Sequence, residues 1–113
     1  APHDDVEVIE QHFRDKQEVA GTAMRIAEAL ELDCVDKVNS VRVGGIVGKH
    51  EVIFGFPYQT VRLVHESISR NAFGQGALYA IQQLRVRGSG YHTMEQLMVA
   101  DFKRMLSKLE VAA

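Results

Sequence analysis

The sequence predicts an α+β fold, an open, mixed four-stranded sheet with helices on one face and the other sheet face used for oligomerisation. Three observations carry this. Short β-branched runs and amphipathic helical runs follow one another in the order β-α-β-β-β-α-α. Two of the strand runs flank a two-residue turn, Pro57-Tyr58. The strand after that turn points apolar residues, Val61, Leu63 and Val64, to both of its sides.

Val6 to His12 is the first strand, with β-branched residues at positions 6, 8 and 9. Asp15 to Ala20 is a loop. Thr22 is placed to cap a helix over about 23–32, with Ala23, Ile26, Ala27 and Leu30 on one face. Asp33 to Lys37 reads as a polar connection to a second strand, Val38 to Val43. Val41 and Val43 share one side of it, Ser40 and Arg42 the other. Gly44 to Gly48 bends the chain. The strands His50 to Phe56 and Gln59 to Arg70 then form an antiparallel hairpin.

A helix over about 72–86 puts Phe73, Ala77, Ala80, Ile81 and Leu84 on one stripe. Gly74 and Gly76 weaken its start and imply close packing there. Gly88-Ser89-Gly90 stops it. Thr93 opens a last helix, with Gln96 three residues on as a capping box. Its stripe is Met94, Leu97, Met98, Phe102, Met105, Leu106 and Leu109.

At 113 residues the chain reads as a single domain, 1–113. Its 46% of hydrophobic residues suit a packed core. A formal charge of −2 gives no basic field, so neither nucleic acid nor a membrane is an expected partner. No apolar run approaches the roughly 18 residues of a membrane span. With no signal peptide in view and Cys34 as its lone cysteine, the chain is expected to be cytoplasmic.

The richest chemistry lies in Glu10-Gln11-His12-Phe13-Arg14-Asp15-Lys16, followed by Gly21-Thr22. A histidine and a lysine stand four positions apart at a strand end, and a Gly-Thr opens a helix. Spacing alone leaves two readings of His12 and Lys16. They are a surface histidine near a solvated lysine, or a general acid beside a cation that orients a carboxylate or polarises an imine. Imidazole titrates near neutrality, which suits the acid role. Gly21 and Thr22 start a helix in either case, and its free N–H groups also suit a carboxylate. Arg70 is a solvated arginine at a strand end, or a guanidinium that grips a carboxylate side-on.

Gly44 to Gly48 lacks the G-x-G-x-x-G spacing and does not join a strand to a helix, so it is no phosphate loop. The histidines at 3, 12, 50, 65 and 92 show no H-x-H or H-E-x-x-H spacing, and no metal is expected.

These segments resemble dihydrodipicolinate reductase (4-hydroxy-tetrahydrodipicolinate reductase). The opening strand and loop resemble its E-x-H-H-x-x-K-x-D-A-P-S-G-T motif. Residues 40–50 resemble its S-x-R-x-G-x-x-x-G-x-H segment, and His65 to Arg70 its H-x-x-x-S-R strand end. Phe73 to Ala77 resembles its F-x-x-G-A helix start, and Gly90 to Glu95 its G-x-Y-x-M turn. The resemblance covers about residues 4–98 and concerns the C-terminal domain only.

The resemblance implies a substrate-binding and tetramerisation domain. The dinucleotide-binding N-terminal domain is then absent from this chain. The implied activity is NAD(P)H-dependent reduction of a cyclic imine dicarboxylate in the diaminopimelate route to lysine. The implied cofactor is NADH or NADPH in the intact enzyme, none being bound by this chain alone, which is then inactive by itself. The implied partners are further copies of the chain, as a homotetramer, and a small dicarboxylate substrate. His12 matches the family's acid and Lys16 its lysine. Gly21, Thr22 and Arg70 match its carboxylate-binding positions. Phe13 stands where the family has a second histidine, and the D-A-P-S-G-T run is one residue shorter and lacks its serine. These departures leave two other readings open: a non-catalytic oligomerisation module with a decayed site, or a reductase domain for a different amino-dicarboxylate.

Overall fold

The structure, a computed structural model, describes residues 5–112, with side chains to Glu110. Two compact units meet in sequence at Arg70 and Asn71.

The first unit is a four-stranded mixed sheet. Its strands are β1 (Val6–His12), β2 (Val38–Arg42), β3 (Gly48–Phe56) and β4 (Gln59–Ser67), in the spatial order β2-β1-β3-β4. β1 and β2 are parallel, joined through α1 (Gly21–Ala29) and a single turn, α2 (Cys34–Lys37). β3 runs antiparallel to both β1 and β4. Parallel strands need a crossover of this kind, whereas the β3–β4 hairpin needs only Pro57 and Tyr58.

Alternation along β1 sends Val6, Val8 and Glu10 to one face, where all three are buried. Val6 and Val8 pack there with Val52, Ala20 and Ala23, flanked by Ile26, Leu30, Val38 and Phe54. Ala23 and Ala27 have no exposed surface, so α1 can sit close to the strands. The small core is concentrated under α1, which packs on β1 and β2. Along β4 every residue but Ser67 is exposed, including Val61, Leu63 and Val64.

Several boundaries differ from expectation for local reasons. Thr22 is not the cap of α1. The N-cap is Ala20, with no side-chain hydrogen bond, and Thr22 is the second helical residue. The helix also ends early, because Leu30 leaves the helical line and Glu31 takes a positive φ of 57°. The expected connection at 33–37 is a helical turn, since the Asp33 carboxylate accepts from the Val35 N–H at 2.8 Å. β4 stops at Ser67 rather than at Arg70. Ser67 pairs with Gly48, the first residue of β3, so the ladder has no partner for residues 68–70.

The second unit is a helix pair, α3 (Asn71–Arg87) and α4 (Met94–Ala112). Gly88, at φ 80°, ends α3 and returns its N–H to the Leu84 carbonyl. Thr93 and Gln96 cap α4 reciprocally: Oγ1 accepts from the Gln96 N–H at 3.2 Å, and Oε1 from the Thr93 N–H at 3.0 Å. The Tyr79 hydroxyl donates to Asp101 at 2.8 Å and ties the helices together. Gly74 and Gly76 face open space, so the expected close packing at the start of α3 is not found. Leu97 is buried, while Phe73, Leu78, Phe102 and Met105 are exposed.

Candidate functional site

Glu10 explains the geometry at the C-terminal end of β1. It continues the inward alternation of Val6 and Val8 and is completely buried. A buried carboxylate is tolerated only when paired and hydrogen-bonded. Arg42 of β2 supplies this with a fork, Nη2 to Oε1 at 2.7 Å and Nη1 to Oε2 at 3.0 Å. Burial alone would raise the Glu10 carboxyl, but hydrogen bonds from Arg42 and Ser40 and the guanidinium charge outweigh it and hold it below its ordinary value.

The same guanidinium reaches the β1–α1 loop. Its Nε donates to the Lys16 carbonyl at 3.1 Å and its Nη2 to the Glu18 carbonyl at 2.9 Å. The loop is held further by the Arg14 N–H on the Gly44 carbonyl, at 2.9 Å, and the Val43 N–H on the His12 carbonyl, at 3.2 Å. One buried ion pair thus fixes both the strand that presents His12 and the loop that carries Lys16.

The His12 ring lies over this pair, its side chain 13% exposed, with Nε2 at 3.4 Å from Glu10 Oε2. That contact is within ionic reach but not aligned as a hydrogen bond. The His50 ring meets it edge-on, with centroids 5.4 Å apart and planes at 73°. His50 pairs across the ladder with His65 of β4. Burial, and then the neighbouring His12, push the His50 imidazole below its ordinary value. Among the described residues no three His, Cys, Asp or Glu side chains form a metal-binding group.

His50 and His65 line an apolar groove of about 480 Å³ with Thr22, Ile26, Val52 and Leu63. Thr22 thus lines a groove with His50, the histidine whose ring stands edge-on to His12. Gly21 and Thr22 are exposed at the start of α1, whose first turn holds no acidic residue and no side-chain cap. Its leading N–H groups and the helix dipole are directed at whatever stands there. Lys16 is half-buried in the clamped loop, and Phe13 is half-buried beside His12. Arg70 is exposed in the turn after β4, not in the ladder that holds the histidines.

The sequence places Glu10, Arg42, Gly48 and His50 in recognisable segments but gives none of them a role. Glu10 did carry a signal, as a carboxylate in register with Val6 and Val8 on an inward face demands a cation.

Fold and site define an α+β domain that seats a histidine on a buried ion pair and leaves the start of its crossover helix without a side-chain cap. The chain belongs to the family described as dihydrodipicolinate reductase, C-terminus, whose model matches residues 1–98. It is 33% identical over 115 residues to the 4-hydroxy-tetrahydrodipicolinate reductase of Caldanaerobacter subterraneus subsp. tengcongensis, covering 83% of this chain and 46% of that protein. It is 34% identical over 112 residues to the enzyme of the same name from Methanococcoides burtonii, covering 83% and 43%. Among solved structures it is similar to a dipicolinate-bound dihydrodipicolinate reductase from Paenisporosarcina sp. TG-14, with a TM-score of 0.62 and 26% identity over 71% of this chain and 39% of that one. The chain thus spans less than half the length of these relatives.

Proposed function

We propose that this chain is the substrate-binding and oligomerisation domain of a cytoplasmic, homotetrameric reductase that converts a cyclic imine dicarboxylate to the amine in the diaminopimelate route to lysine. The observation that carries the reading is the seating of His12 on the Glu10–Arg42 pair, whose guanidinium also clamps the Lys16 loop. His12 supplies or relays the proton that the imine nitrogen gains. Lys16 holds the substrate and stabilises developing negative charge. Gly21 and Thr22 receive a carboxylate at the uncapped start of α1, and Arg70 receives one from the turn after β4.

The residues of this chain do not fit a dinucleotide. Gly44 to Gly48 joins two strands, and the β1–α1 crossover has Gly21 as its lone glycine. NADH or NADPH therefore belongs to a separate domain of the intact enzyme, and this chain alone does not turn over substrate. The homotetramer is supported by the sheet face away from α1, where Val41 and Val64 are exposed.

Calorimetric titration with pyridine-2,6-dicarboxylate tests the reading. The chain should bind it, and Lys16→Gln should weaken binding about 10- to 100-fold, the worth of a charged hydrogen bond. Absence of binding by the unsubstituted chain would leave a pure assembly module. Preference for another diacid would favour a changed substrate, the reading to which Phe13 lends support.

A further inference from the structure

We propose that Gly48 and His50, two residues on one face of β3, are the positioning residues of His12, Gly48 by leaving the space its imidazole occupies and His50 by packing against its edge. The proposal deepens the reading of His12 as proton donor and rests on it for its functional consequence.

The β1–β3 register pairs Glu10 with His50 and Gln11 with Lys49, so the next step along both strands brings Gly48 beside His12. A Cβ built on Gly48 would lie 3.2 Å from His12 Cε1, 3.6 Å from Nδ1 and 3.9 Å from Nε2. Gly48 is buried, and its φ lies outside the left-handed region. The glycine therefore answers a demand for space, not for conformation. A Cβ there would force the ring to give by a few tenths of an ångström, and a larger side chain would force it further from its seat on the Glu10–Arg42 pair.

His50 supplies a second contact from the same face of β3. Its ring stands edge-on to His12, and its Nε2 is buried with no hydrogen-bond partner among the described residues. On that face it meets Glu10 and His12 from β1 and His65 from β4. Burial disfavours its charged form first, and His12 and His65 add to this, while Glu10 opposes it. A neutral ring packs on His12 without competing for the proton. His50 thus acts as an apolar wall, and its ring shape matters more than its nitrogens.

The test follows the assigned His12 ring resonances of the chain by NMR, and separately its titration with pyridine-2,6-dicarboxylate. Gly48→Ala should shift the His12 resonances and weaken the dicarboxylate about tenfold, since small misplacements at a reacting centre are costly. Gly48→Val should do more. His50→Phe should stay within about twofold of the unsubstituted chain, and His50→Ala should match Gly48→Ala, because shape is kept in one and lost in the other. Unchanged His12 resonances in both Gly48 variants would overturn the seat. Equal losses in His50→Phe and His50→Ala would overturn the wall and make His50 a proton-carrying or hydrogen-bonding group. If Gly48→Val loses its strand signals, Gly48→Ala decides. If the unsubstituted chain does not bind the dicarboxylate, the proposed function fails, while the His12 resonances still judge the seat.

Discussion

Replacing Arg42 with methionine should destabilise the sheet unit more than any other single change at the site. Arg42→Met keeps the aliphatic stem but removes the fork on Glu10 and both bonds to the β1–α1 loop. Glu10 has no exposed surface, so no water replaces the lost partner. Breaking a buried pair from one side costs about 3–5 kcal/mol, against a typical total of about 5–15 kcal/mol for a domain. The pH dependence should change sign as well. In the native chain Glu10 is held below its ordinary value of 4.5. Its contribution is therefore complete above that value and lost as pH falls through the depressed folded value. In Arg42→Met the raising effect of burial dominates. The folded carboxyl then binds its proton before the unfolded one, and acidification restores stability. Urea titrations read from the Val8 and Val52 methyl signals give both quantities. Glu10→Gln combined with Arg42→Met should recover part of the loss, since no buried charge remains. Parallel pH profiles for the native chain and Arg42→Met, or a loss under about 1 kcal/mol, would refute the clamp.

Two further outcomes follow from packing and capping. Ala23→Leu should cost about 1–3 kcal/mol by overpacking, because Ala23 is fully buried between α1 and the strands; its urea midpoint checks this. Thr93→Ala should cost the helix pair about 1 kcal/mol and fray the first turn of α4, visible as faster amide exchange at Gln96 and Leu97.

Much of the fold was legible because local chemistry and global structure agree. The period-two run of β1, the Pro57-Tyr58 turn and the Thr93–Gln96 box each stand where the sequence predicts them. The errors came where a distant partner decides. β4 ends at Ser67 because β3 begins at Gly48, a fact of register invisible along either strand. Thr22 looks like a cap, but the loop clamped by Arg42 delivers Ala20 to that position. The candidate site shows the same division. The short stretch suggests His12 and Lys16, while nothing along the chain gives Arg42, Gly48 or His50 a role toward them. Arg42 is 32 residues from Glu10 and reaches it through a parallel crossover, and Gly48 declares its purpose only once β3 lies beside His12.

The clamp also governs how the loop moves. A connection of this length ordinarily opens by itself on fast timescales, independent of the body it joins. Here the Lys16 and Glu18 carbonyls hang from a guanidinium committed to a buried carboxylate. Releasing the loop strips two acceptors from a guanidinium whose remaining partner is a buried carboxylate, which costs more than opening a loop whose carbonyls face only water. In the role proposed for Lys16, a loop held this way has less ordering entropy to lose on binding.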